Sequence, residues 1–211
     1  TDRKIKEFPL LLEDGKYRMD FAKYKKQLSG KETMLIFCSP HNPGGRVWSP
    51  SELNEVADFC KENELLLVSD EIHHDLIMPG STHTVMPIAA PQINDHLIML
   101  TANTKTFNIA GIHTGNVIIS NTKLATIFER KMKSLGLGPN ALGIHLATAG
   151  YSEGAANWLD SLLTYLAENF RIFNSGIDKI PGCKAMPAEG TYLAWVDFSG
   201  TDMSREGFTS R

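Results

Sequence analysis

Three polar side chains in this sequence each follow a short apolar run. Asn42 lies in Ser39-Pro40-His41-Asn42-Pro43-Gly44-Gly45-Arg46, after Met34-Leu35-Ile36-Phe37-Cys38. Asp70 stands just past Leu65-Leu66-Leu67-Val68. Lys105 lies in Thr101-Ala102-Asn103-Thr104-Lys105-Thr106-Phe107-Asn108, after Leu97 to Leu100. A continuous apolar run predicts a strand covered on both faces. The C-terminal edge of a parallel sheet is where α/β proteins hold ligands. An amide, a carboxylate and an amine converging there would suit a cofactor. Taken singly, each has an ordinary reading. Asn42-Pro43-Gly44 makes a good turn. Asp70 is an ordinary loop acid, and Lys105 an ordinary solvated charge. His73-His74 suggests metal, but adjacent histidines in an extended segment point to opposite faces and no third ligand is spaced to match. No metal site is expected.

The elements that must position these residues are legible. Asp20 is a candidate cap for a short helix with Phe21, Tyr24 and Leu28 on one face. Ser49-Pro50-Ser51-Glu52 predicts a helix start with a capping box, followed by Leu53, Val56, Ala57 and Cys60 at helical spacing. Val117-Ile118-Ile119 is a fourth strand. Apolar strands alternating with helices imply a parallel sheet. Thr122 to Leu135 reads as a helix with Leu124, Ile127, Phe128 and Leu135 inward. Ala141 to Tyr151 reads as the next. A long helix follows, burying Trp158, Leu159, Leu162, Leu163, Leu166 and Phe170 and ending near Gly176. Cys183 to Met186 and Tyr192 to Asp197 read as strands of a smaller unit. The expected fold class is α/β, a mostly parallel sheet with flanking helices, followed by the start of a smaller α+β domain. The expected boundary divides residues 1–152 from 153–211.

The chain has 211 residues, 42% hydrophobic and 21% charged, enough for a real core. Its net charge of −3 gives no reason to expect a nucleic-acid surface. No apolar run approaches the roughly 20 residues of a membrane helix. Thr1-Asp2-Arg3-Lys4 opens no signal peptide, since no apolar region follows it. Cys38, Cys60 and Cys183 form no CxxC pattern, so neither a zinc knuckle nor a disulfide framework is expected. A cytoplasmic location is the expectation.

Four blocks carry a resemblance. They are Pro40-His41-Asn42-Pro43-Gly44-Gly45-Arg46-Val47-Trp48, Ser69-Asp70-Glu71-Ile72-His73, Thr104-Lys105-Thr106-Phe107-Asn108-Ile109-Ala110-Gly111 and Gly190-Thr191-Tyr192-Leu193-Ala194-Trp195. In order and spacing they resemble the fold-type-I pyridoxal-phosphate enzymes of the class I/II aminotransferase superfamily, and within it the MalY/PatB-like cystathionine β-lyase (C–S lyase) group. The resemblance implies pyridoxal 5'-phosphate as cofactor. Lys105 would be its Schiff-base lysine and the base at the substrate's Cα. Asp70 would pair with the pyridine nitrogen and keep it protonated. Asn42 would hydrogen-bond the phenolic oxygen. His73 would stand where many aminotransferases carry a tyrosine aimed at that oxygen. Ile72 would pack on one ring face, and Thr104 would offer a hydroxyl to the phosphate. His113 stands where many members carry a phosphate-binding arginine.

The implied reaction is α,β-elimination of a sulfur amino acid to a thiol, pyruvate and ammonia. A class I/II aminotransferase on the same scaffold is the alternative. A catalytically incomplete fragment or binding domain is a third reading. The resemblance also implies a partial chain. Relatives begin before its first residue with a phosphate-cupping turn, and continue past Phe198 to a carboxylate-clamping arginine. Neither Arg205 nor Arg211, in the polar tail from Ser199, aligns with that arginine. Relatives are homodimers on small amino-acid substrates, with no nucleic acid and no membrane.

Overall fold

The computed structural model describes residues 3–202. Arg205 and Arg211 lie outside the described residues. A hairpin of β1 (Leu11–Glu13) and β2 (Lys16–Arg18) leads into α1 (Phe21–Gln27). Asp20 caps α1, accepting a hydrogen bond from Lys23 N at 2.9 Å. The central sheet has four strands in chain order: β3 (Met34–Cys38), β4 (Leu66–Asp70), β5 (Leu97–Thr101) and β6 (Asn116–Ile118). The first three are parallel, and β6 runs antiparallel to β5.

Between β3 and β4 lies α2 (Pro50–Glu62), which starts with the expected capping box. Ser49 accepts from Glu52 N, and Glu52 accepts from Ser49 N at 2.8 Å. Its Leu53, Val56, Ala57 and Cys60 are fully buried. They pack with Tyr24, Phe37, Trp48 and Leu67 in the core beneath one face of the sheet. The short α3 (Met86–Ala89) and a 3-10 turn (Pro91–His96) close that core and lead into β5.

The opposite face departs from the expectation of strands covered on both sides. Ile36, Val68 and Ile98 are register partners and so share a face. Ile98 is buried, but Ile36 is 74% exposed at the β3 edge. Apolar character in β3 reports a surface that seeks cover, and among the described residues that cover is partial.

After β5 come α4 (Asn103–Thr106), a 3-10 turn (Ala110–Ile112), β6, α5 (Thr122–Ser134), α6 (Ala141–Gly150) and α7 (Glu153–Ile177). Asn121, Asn140 and Ser152 cap the last three. These helices form where the pattern places them, but their expected burial fails. Neither α5 nor α7 buries a residue fully, and Ile127, Leu135 and Trp158 are exposed. The closing pair, β7 (Lys184–Ala185) and β8 (Val196–Asp197), is antiparallel and shorter than expected.

Candidate active site

The parallel register aligns the ends of three strands. Cys38 of β3 is the partner of Asp70 of β4, which is the partner of Leu100 of β5. Asp70 is therefore the last strand residue rather than the first of the loop. Its Oδ1 accepts from Ile72 N at 3.3 Å, which starts a turn through residues 71–75. The turn corrects the extended segment assumed for His73 and His74. His74 Nδ1 folds back to Glu71 O at 2.8 Å, while His73 is buried, 1% exposed.

Glu71, which sequence reasoning passed over, anchors this turn. Its carboxylate is fully buried and meets Ser69 Oγ at 2.8 Å, Met86 N at 3.0 Å and His83 Nε2 at 2.9 Å. A buried carboxylate is tolerated only with such partners. It fixes the backbone between Asp70 and His73.

His73 is the node of the cluster. Asn42 Nδ2 lies 3.0 Å from His73 Nε2. The amide nitrogen can only donate, so Nε2 accepts and the ring proton sits on Nδ1. Burial pushes the His73 pKa down, the nearby Lys105 ammonium lowers it further, and Asp70 opposes them. The imidazole is therefore neutral near pH 7, with the charges of Lys105 and Asp70 both acting on it. Its Nδ1 is buried with no hydrogen-bond partner among the described residues. The Tyr192 ring stands edge-on to it, centroids 5.3 Å apart.

Lys105 sits on α4, half-buried. Two neighbours pin this short helix. Asn103 Nδ2 donates to Ala147 O of α6 at 2.9 Å, and Thr106 Oγ1 donates to Asp75 Oδ2 at 2.8 Å. Asp75 belongs to the turn that carries His73, so the lysine and the histidine are held by one frame. Among the described residues the Lys105 amine has no hydrogen-bond partner. Thr104 beside it is buried, and Ile72 is half-buried. His113 is exposed, in left-handed backbone with φ 52°.

Asn42 is placed by a closed loop. Gly45 N donates to His41 O at 2.8 Å and His41 N to Arg46 O at 2.7 Å. Cys38 lies inside the bend, its Sγ accepting from Asn42 N at 3.4 Å. Burial raises the Cys38 pKa, and Asp70 adds to that, so it is a thiol. Gly190 closes the other side. A Cβ there would lie 2.9 Å from Val47 Cγ2 and 3.1 Å from Leu76 O. Thr191 follows at φ 68°, held by its N–H to Leu76 O at 2.7 Å, and turns the chain so that Tyr192 meets His73. Sequence order gave no sign of the Tyr192 contact, because it joins segments more than a hundred residues apart.

A cavity of about 1120 Å³ lies elsewhere, between residues 3–10 and the β3 edge. Its lining mixes core apolar side chains such as Phe37 and Trp48 with the charged Arg3, Lys6, Lys31 and Glu32, and it carries neither Asp70 nor Lys105. Chemistry therefore points to the His73 cluster.

The chain was also compared with known proteins. The family model described as Aminotransferase class I and II matches residues 2–207. Cystathionine beta-lyase PatB of Bacillus subtilis is 37% identical over 205 residues, 96% of this chain and 53% of PatB. The crystal structure of cystalysin from Treponema denticola, which contains a pyridoxal 5'-phosphate cofactor, superposes with TM-score 0.92 at 40% identity, covering 98% of this chain and 53% of cystalysin. The PLP-bound C–S lyase from Staphylococcus hominis gives TM-score 0.84 at 36% identity, covering 90% and 48%. The chain thus spans about half the length of these relatives.

Proposed function

This chain belongs to the aminotransferase class I and II family, and we propose that it is part of a pyridoxal-phosphate-dependent C–S β-lyase. The observation that carries the reading is the His73 cluster, where Asn42 hydrogen-bonds one buried imidazole whose charge environment is set in part by Asp70 and Lys105, each from its own strand end. The donor set fits the cofactor. Lys105 offers an amine for an aldehyde, Asp70 a carboxylate for a ring nitrogen, and Asn42 a donor for a phenolic oxygen. The unpartnered His73 Nδ1 leaves a buried polar atom for a ligand-bound site to satisfy. Ile72, Thr104 and His113 are proposed as its further contacts, at a ring face and at the phosphate.

When bound, the cofactor supplies an electron sink for a carbanion at the substrate's Cα. The protein's own groups supply the rest. Lys105 would take the proton from Cα, its amine having no hydrogen-bond partner among the described residues. Asp70 would hold a proton at the ring nitrogen. Asn42 would donate to the phenolic oxygen while its amide also bonds the neutral His73 as acceptor. The proposed net reaction converts an amino acid with sulfur on Cβ, together with one water, to a thiol, pyruvate and ammonia. The lyase names of the relatives above support this choice. An aminotransferase is the second reading, favoured by the family description itself.

We also place residues 1–152 in a cofactor-binding large domain and 153–211 at the start of a small domain. Support comes from the separate β7–β8 sheet packed beside α7. The full-length enzyme is taken as a homodimer, in keeping with the exposed apolar residues of α5, α6 and α7. A cytoplasmic location rests on the cysteine usage; Cys38, Cys60 and Cys183 are all free thiols.

Pyruvate release from cystathionine without added keto acid tests the reaction. The full-length enzyme should release it, and Lys105→Ala should lower the rate at least about a thousandfold. Amino transfer to an added keto acid without pyruvate from cystathionine would select the aminotransferase instead.

A further inference from the structure

Glu189 lies far from Arg46 in sequence, yet its carboxylate grips the loop that carries Asn42. Oε2 accepts from Arg46 Nη1 at 2.5 Å and from Val47 N at 3.0 Å, and Oε1 accepts from Lys16 Nζ at 2.9 Å. Arg46 is buried, 9% exposed. Its remaining donors reach Glu52 Oε1 at 2.6 Å and Tyr17 O at 3.0 Å, and its guanidinium lies 4.8 Å from the Trp48 ring centre. The backbone repeats the link: Glu189 N and Gly190 N both donate to Gly45 O, at 2.8 and 3.1 Å. Asn42 sits inside the loop these bonds close.

Burial alone would push the Glu189 pKa up, but Lys16, the Val47 amide and Arg46 outweigh it and hold the carboxylate below its usual range. The pair is ionised at neutral pH. Removing one member of such a pair strands a desolvated charge, unlike an exposed pair such as Arg171–Glu168, which water screens.

We propose that Glu189 and Arg46 are positioning residues for Asn42: their ion pair fixes the 41–46 loop so that the Asn42 amide meets His73 Nε2 and, with cofactor bound, the phenolic oxygen. Only the second half rests on the proposed function. Because Glu189 and Tyr192 share one segment, the same pair sets two of His73's neighbours.

Nitrogen-15 spectra of His73 in the cofactor-free chain test the first half. Wild type should show a neutral ring protonated at Nδ1, with Nε2 as acceptor. Glu189→Gln should move both nitrogen shifts toward a mixture of tautomers. Pyridoxal phosphate titration, read by visible absorbance, tests the second half. Glu189→Gln should weaken the apparent Kd about tenfold. Glu189→Asp, which keeps the charge, should recover part of both readings. Glu168→Gln, an exposed control, should leave both at wild type. A folded Glu189→Gln with unchanged His73 nitrogens and unchanged Kd overturns the proposal. If that variant does not fold, Arg46→Gln, which removes the other member of the pair, decides: wild-type His73 nitrogens and Kd there overturn it. If wild type gives no Lys105-dependent band, the cofactor reading fails, and the His73 nitrogens alone decide whether the pair positions Asn42.

Discussion

His73 holds its neutral form through burial and Lys105 against the opposing charge of Asp70, and that has a measurable consequence. Its native pKa is depressed, burial being the main cause. Above the unfolded value of about 6.5, both states are neutral and the group contributes nothing to pH dependence. As pH falls below about 6.5, the unfolded chain binds the proton first, so stability drops until the native pKa is reached. Each unit of depression removes about 1.4 kcal/mol. Urea unfolding at pH 7 and pH 5 should show a smaller loss in His73→Gln than in wild type. His41, lowered by burial and then by Arg46, shifts in the same direction and remains in the variant. Equal losses in both proteins would contradict the assigned neutral ring. Asn42, Asp70 and Lys105 were legible in sequence because each follows its own apolar run. Glu71, Glu189 and Tyr192 were not, because their partners are set by packing. Glu71 has no local signature that distinguishes a fully buried carboxylate from a loop acid.

Local rules predicted elements well wherever the signal is itself local. The α2 start is the clearest case, since Ser49 and Glu52 satisfy each other within one turn. Ser49→Ala should lower stability by about 1 kcal/mol, measured by chemical unfolding, with little change in the His73 cluster. Gly190 acts between elements. Gly190→Ala would drive a methyl toward Val47 and the Leu76 carbonyl, with Pro40 Cβ also only 3.3 Å away. A loss of about 1–3 kcal/mol is expected, together with weaker cofactor binding, because Pro40 leads into the Asn42 loop. Unchanged stability would mean that the 187–191 segment yields more readily than these contacts imply. The burial of α5 and α7 was misread for a physical reason. Periodicity identifies which side of a helix is apolar, but it does not supply the surface that covers it.

Across the whole molecule, one face of the central sheet is packed and the other is partly open, with Ile36 at its edge. Apolar strand runs implied cover on both faces, while the described residues provide it mainly through α2 and its neighbours. The four sequence blocks nevertheless come together in three dimensions: the Asn42 loop, the 70–75 turn, α4 and the Tyr192 segment all meet at or beside His73. That convergence is what the cofactor reading depends on, and it can be tested on this chain directly. Pyridoxal phosphate should be titrated into wild type and Lys105→Ala while visible absorbance is followed. A saturable visible band in wild type that is absent from Lys105→Ala is the predicted result. No band in wild type, or the same band in both proteins, would contradict it.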